Sequence, residues 1–382
     1  MNQLNRPLCG IRTVPSIAMA CILAGGCTGR EAAPRVIPDA GTRAERALRL
    51  QEVSHSSPDA EFTSVTAMDV DSRGLVYVGD WYRQQLTVLN PDATVLRTLG
   101  RRGSGPGEFR SIRGVQVLPG DSILVYDPSL ARVSVYAQTD SAPAYSVTLR
   151  TSGAAPFQLW RIPADSGYVA LFRPTFMFSE GQAARNRRDV LRVLARDGAT
   201  RTTIKEFPSK SFLVAGTSVT PNPFGREGLV AVDARGSILF IWNDSLAVDR
   251  FSPDGTQRDR IRLPMRPAPV TSSHVQRQLR EWDGSTRTTF GQVLQDSAPS
   301  HWPAASAMLI DDRDRLWIAL PGDPASRTEW IVLSSNMRYI ASVFLPARET
   351  LRVVRNGRLY TVRMDNDDIP AIAIYRATGI PE

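Results

Sequence analysis

The chain has 382 residues and a formal net charge of +8, and 42% of it is hydrophobic, enough to fill a sizeable core. Its three cysteines, Cys9, Cys21 and Cys27, precede residue 28, which excludes a disulfide framework or a cysteine-held metal downstream. The basic excess is mild and scattered, so it names no polyanionic partner.

The N-terminus reads as an export signal. Arg6 and Arg12 precede an uncharged apolar stretch, Val14 to Leu23, shorter than the ~20 residues a membrane-spanning helix needs. Ala24, Gly25 and Gly26 then lead into Cys27. Small residues before a cysteine resemble the bacterial lipobox, where the signal is cut just before a cysteine whose thiol carries a diacylglyceryl group. The resemblance implies a signal peptide over 1–26, lipid attachment at Cys27, and a place in the bacterial cell envelope, anchored to a membrane and facing the periplasm or exterior. Residues 27–45 carry Ala, Pro, Gly and charges without periodicity and are expected to form a tether. The folded domain is expected over 46–382.

That domain repeats. After a solitary strand-like segment, Ala47 to Val53, the stretch from Val65 to Gly100 holds four β-rich runs, VTAMDV, LVYVGD, QQLTVL and VLRTLG, separated by turn-forming DSRG and NPDA. The same plan recurs from Val115, from Phe157 (LWRI, GYVALF, DVLRVLA, TTIKEF), from Leu229 and from Ala307. A sixth unit has only three runs, LRVV, RLYTVRMD and AIAIYR, before the chain ends. The solitary segment supplies the missing fourth. Completing the last sheet with an N-terminal strand closes the ring and removes two sheet edges that would otherwise invite pairing with other chains. The expected fold is all-β: a six-bladed β-propeller, its last blade closed by an N-terminal strand, with a short helical insertion between blades four and five.

The junction Leu99 to Val117, LGRRGSGPGEFRSIRGVQV, resembles the inter-blade signature of NHL-type propellers and of related bacterial six-bladed propeller lipoproteins. Gly100, Gly103, Gly105, Pro106, Gly107, Glu108 and Phe109 carry the likeness. Glycines allow positive φ where one blade's outer strand turns into the next blade's inner strand, and proline fixes its neighbour.

Tight turns join first to second and third to fourth strands, whereas the long insertions, 173–188 and 267–304 among them, fall at the other junctions. In an up-and-down blade those junctions share one side of the ring, so one face is elaborated. Within 267–304, Val275, Leu279 and Trp282 recur at helical spacing after Ser272-Ser273, which predicts a serine-capped amphipathic helix. Asp80 and Asp127 end second strands on the elaborated face, and Asn243-Asp244 holds the similar place in blade four. They are read as caps of the following loops. The alternative is calcium at the ring's mouth, as in the lactonase-type propellers this architecture resembles. Trp81, Tyr82, Phe176, Phe178 and Trp282 stand on the long loops as a candidate binding surface or as cover for the channel mouth.

His55, His274 and His301 are dispersed, and no nucleophile elbow, P-loop or zinc-protease motif occurs. The cluster Arg185, Arg187, Arg188 and Arg192 reads as a solvated loop, since an exported protein meets no nucleic acid. The expectation is a non-catalytic, lipid-anchored scaffold without a cofactor, binding a protein or small molecule on the loop-rich face through Asp80, Trp81, Asp127, Asn243, Asp244 and Trp282. The alternative is a calcium-dependent hydrolase of the lactonase type.

Overall fold

The computed structural model describes residues 36–138, 140–151, 153–162, 167–174, 181–322 and 327–379. Six four-stranded antiparallel sheets form the blades of a β-propeller. From the inside outward, blade one comprises Val65–Val70, Val76–Asp80, Gln85–Leu89 and Val95–Leu99. Blade two comprises Gly114–Val117, Ile123–Asp127, Arg132–Tyr136 and Tyr145–Thr148. Blade three comprises Gln158–Arg161, Tyr168–Phe172, Arg188–Leu194 and Thr200–Pro208. Blade four comprises Gly228–Val232, Ile238–Trp242, Ala247–Phe251 and Gln257–Arg262. Blade five comprises Ala307–Ile310, Leu316–Leu320, Thr328–Leu333 and Tyr339–Leu345. Blade six comprises Glu349–Arg355, Arg358–Met364 and Pro370–Thr378, with Arg49–His55 as its outermost strand.

Burial follows from this arrangement. The second and third strands of the early blades are buried at nearly every position, because each sheet is covered on both faces by neighbouring blades. The core is accordingly divided into one apolar cluster per blade interface. Val76 and Val78 meet Ile372 and Ile374 between blades one and six, and Leu239 and Ile241 meet Leu316 and Ile318 between four and five. The remaining four interfaces are filled in the same way. Each fully buried aliphatic or aromatic side chain contributes about 1.5–3 kcal/mol relative to exposure. The inner strands are also tied to one another: Asp69 accepts the N–H of Val117 at 2.7 Å and Gln116 accepts that of Arg161 at 2.7 Å.

On one face the tight turns of blades one, four and five are held by their own aspartates. Asp71 accepts from the N–H of Arg73 and Leu75, Asp233 from Arg235 and Ser237, and Asp311 from Arg313 and Arg315. These are Asx-type turns, which the D-x-x-G and D-x-R runs encode.

Ring closure runs through Arg49 opposite Thr378 to His55 opposite Ala373, two residues later than the sequence boundary. Arg363 joins the seam: its guanidinium reaches Glu52 of the closing strand at 2.7 Å and Glu349 of the inner strand at 2.6 Å. Upstream, the expected tether ends earlier than residue 45. Ile37 is buried in the cluster between blades four and five, and the short helix α1 (Ala40–Glu45) carries Arg43, whose guanidinium pairs with Glu329 at 2.7 and 3.1 Å. Burial of Ile37 and a shielded two-point ion pair dock this segment.

The elaborated face carries more than was expected. Helix α2 spans Ser272–Glu281, but Thr271 rather than a serine is its N-cap, and Trp282 is the extended C-cap residue outside the helix. The backbone N–H of Thr271 donates to Nδ1 of His274, which fixes the first turn. A second helix, α3 (Gly284–Ser297), follows, capped by Asp283 accepting from the N–H of Thr286. A hairpin, Phe212–Ala215 with Ser218–Pro221, fills the junction between blades three and four.

Candidate functional site

The long loops fuse into a cap with its own core. Leu213 of the hairpin, Val275 and Leu279 of α2, Phe290 and Leu294 of α3, and Trp302 form one cluster, and Trp282 packs against it half-buried. Ala184 of the blade-three insertion, Val214 and Val219 form a second. The cap thus draws on the second-to-third connection of blade three and on both junctions of blade four. Trp282 therefore belongs to the cap's packing. Cys27, Phe176 and Phe178 lie outside the described residues.

Asp80 and Asp127 are latches. Asp80 Oδ2 accepts the N–H of Thr63 and Ser64 at 2.7 and 2.9 Å, and Oδ1 accepts those of Tyr82 and Arg83, both at 3.0 Å. Asp127 Oδ2 accepts from Arg110 and Ser111, and Oδ1 from the N–H of Leu130 and the hydroxyl of Ser111. Asn243 accepts from Glu227 N–H and donates to the carbonyl of Ala305, so it spans blades four and five. All three are buried, and they clamp the linker entering each blade to the end of its second strand. Asp244 beside them is exposed and accepts from the Ser245 hydroxyl. In blade three a different tie is made by Asp189, which the sequence did not single out: at the start of the third strand, it accepts from Ser209 of the linker leaving the blade and pairs with Arg173 at 2.8 Å. A carboxylate has about four acceptor positions, and four donors already occupy those of Asp80 and of Asp127. Among the described residues no three His, Cys, Asp or Glu side chains gather at metal-binding distance.

Beside the cap, the loop-face ends of blades one to three bring aromatic rings and arginines together. The guanidinium carbon of Arg113, just before the inner strand of blade two, lies 4.9 Å from the Trp81 ring and 4.3 Å from the Phe157 ring. Arg173 lies 4.5 Å from the same Phe157. Tyr82, next to Trp81, is 71% exposed. Burial, then repulsion from Arg173, lowers the Arg113 pKa below the ordinary guanidinium range. Trp81 and Tyr82 were legible as candidates; Arg113 and Arg173 were not, because their partners come from three blades.

Two further places hold charge in confined surroundings. Arg352 sits at the bulge in the inner strand of blade six, skipped by the register between Leu351 and Val353. Its surface is open to solvent although surrounding protein lowers its pKa by desolvation, the combination expected of a side chain in the central channel. Between blades three and four lies a cavity of about 290 Å³ lined by Lys205, Phe207, Phe240, Trp242, Asp249 and Arg260. Asp249 Oδ2 accepts from Lys205 Nζ at 3.2 Å, and Oδ1 lies 3.6 Å from Arg260 Nε.

No family model and no curated protein matches the chain. Among solved structures it is similar to a Bacteroides fragilis protein assigned as exported, at 12% identity and TM-score 0.52 over 88% of this chain and 97% of that one. It is also similar to a member of the DUF4221 family from Bacteroides vulgatus, at 9% identity and TM-score 0.50 over 87% and 99%. A gluconolactonase from Xanthomonas campestris aligns at 12% identity and TM-score 0.46 over 89% and 93%. Likeness at this level of identity concerns the propeller fold.

Proposed function

We propose that the chain is a non-catalytic binding propeller, lipid-anchored at Cys27 in the bacterial envelope, that takes its ligand on the loop-rich face. The observation carrying this reading is the one-sided elaboration: a cap with its own core, centred on Leu294 and Trp302, beside an uncapped arc where Trp81, Arg113 and Phe157 meet and the neighbouring Tyr82 is exposed. Rigid blades hold these loops, the usual arrangement for binding surfaces. The latch role of Asp80 and Asp127 speaks against the calcium-dependent hydrolase, since their oxygens already accept protein donors.

Two experiments test it. Cys27→Ala should accumulate as a full-length precursor that takes up no labelled fatty acid; continued labelling refutes the anchor. The purified protein should turn over neither lactones nor aryl esters, with or without calcium, and calcium-dependent turnover overturns the binding reading.

A further inference from the structure

Arg113 is unusual among the arginines of this chain in the company it keeps. Most of the others named above are paired: Arg43 with Glu329, Arg173 with Asp189, Arg315 with Asp311, Arg363 with Glu52 and Glu349. Arg113 has two aromatic rings within 5 Å and no side-chain hydrogen bond or ion pair among the described residues. The rings hold the group and shield it, but a π-face satisfies none of its five N–H donors. The nearby charge that acts on it is a second cation, Arg173. The carboxylates of Asp80 and Asp127 spend their oxygens on backbone N–H groups and, at Asp127, on the Ser111 hydroxyl. A partly desolvated guanidinium with open donors and no anion paired to it among the described residues is poised for an external one. Arg352, whose side chain is similarly without a hydrogen bond or ion pair among the described residues, adds positive potential along the inner strands.

Resting on the loop-face reading above, we propose that Arg113 is an oxyanion receptor, taking the carboxylate or phosphate of a ligand whose apolar body lies against Trp81, Tyr82 and Phe157. The oxyanion belongs either to a free small molecule or to an anionic lipid headgroup, and both present the same acceptor geometry.

The test uses the full chain carrying Cys27→Ala, so that acylation does not itself recruit membranes. Benzoate and phenyl phosphate are titrated by tryptophan fluorescence, and vesicles of phosphatidylglycerol or phosphatidylcholine by co-sedimentation. At least one oxyanion probe should bind, and Arg113→Gln should weaken it roughly 30-fold or more, the loss expected when one partner of a shielded charge pair is removed. Arg113→Lys keeps the charge without the planar fork and should also weaken binding, roughly tenfold. With its thermal midpoint unchanged, it separates recognition from folding. Arg113-dependent binding of the free probes identifies a soluble ligand; dependence seen only with phosphatidylglycerol vesicles identifies a headgroup. Failure of every probe, or equal binding by wild type and Arg113→Gln, overturns the receptor. Hydrogen exchange on the bound state keeps the two readings apart. Loop-face protection independent of Arg113 sinks the receptor alone, whereas protection confined to the turns at Asp71–Gly74 and Asp233–Gly236 sinks the loop-face reading as well.

Discussion

Asp80 and Asp127 occupy the same position in consecutive blades and perform the same task, each accepting from the linker that enters its blade and from the turn that leaves its second strand. Asp80→Ala would strand four N–H groups around a site with no solvent exposure. Its cost is expected to be about 3–5 kcal/mol, with Asp80→Asn about half as damaging because one oxygen acceptor is kept. Chemical denaturation measures both; an alanine variant within 1 kcal/mol of wild type, about the noise of such a comparison, would remove the latch from the account.

The glycine-rich junction after blade one makes a sharper steric demand. Gly100 has φ +75°, and a Cβ there would come within 2.3 Å of the Phe109 ring, which is itself buried against Tyr136. Gly100→Ala is therefore expected to lose about 2–4 kcal/mol, from left-handed strain and overpacking together. Pairing it with Phe109→Leu should recover part of the loss, and the absence of any recovery would show that the ring is not what the new methyl meets.

Stability should depend on pH through Asp69. Burial pushes its carboxyl from 3.8 up to about 6, against the opposing N–H bonds of Val117 and Val70. An acid with a raised folded pKa keeps its proton in the folded chain after the unfolded chain has released it. The folded state therefore binds more protons between about pH 4 and 6, and this contribution to stability is lost as pH rises through about 6. Asp69→Asn should flatten that part of the profile. Denaturation midpoints at pH 4, 5, 6 and 7 for both proteins give the comparison, and parallel profiles would contradict it.

The cap should fail separately from the ring. Leu294 is fully buried and belongs to the cap cluster rather than to a cluster between blades. Leu294→Ala is expected to cost the cap about 2–5 kcal/mol. Faster exchange and proteolysis across α2 and α3, with the blade strands unchanged, is the expected signature. Equal loss of protection in blades four and five would show that cap and ring unfold as one unit.

The blades were legible because strand-forming runs of Val, Ile and Leu alternate with Asp- and Gly-rich turns, and because five complete units, one partial unit and one spare strand close into a ring. The cap was legible only in outline. Val275 and Leu279 announce α2 by their spacing, but Trp282, at the next helical position, leaves the helix to pack against neighbours no periodicity reveals. The hairpin Phe212–Pro221 is short and helix α3 largely polar, and their apolar positions make sense only against each other. Ile37 and Arg43 lay in a segment whose composition reads as tether, since one isoleucine and one arginine dock it to distant residues. Asp80 and Asp127 were found by position, but their donors come from linkers, and Arg113 required rings from two other blades.

The closing strand also imposes an order of events on biogenesis. Blades one to five are made of consecutive strands, so each can form from contacts local in sequence as the polypeptide emerges. The seam cannot: Arg49 and Thr378 are separated by 329 positions. Until the last strands arrive, the segment Arg49–His55 remains an unpaired edge, and the slow search to close so long a loop falls at the end of folding. A chain truncated before Pro370 would therefore expose two adhesive edges at once, making arrival of the last strand the step that renders the molecule safe from its own copies.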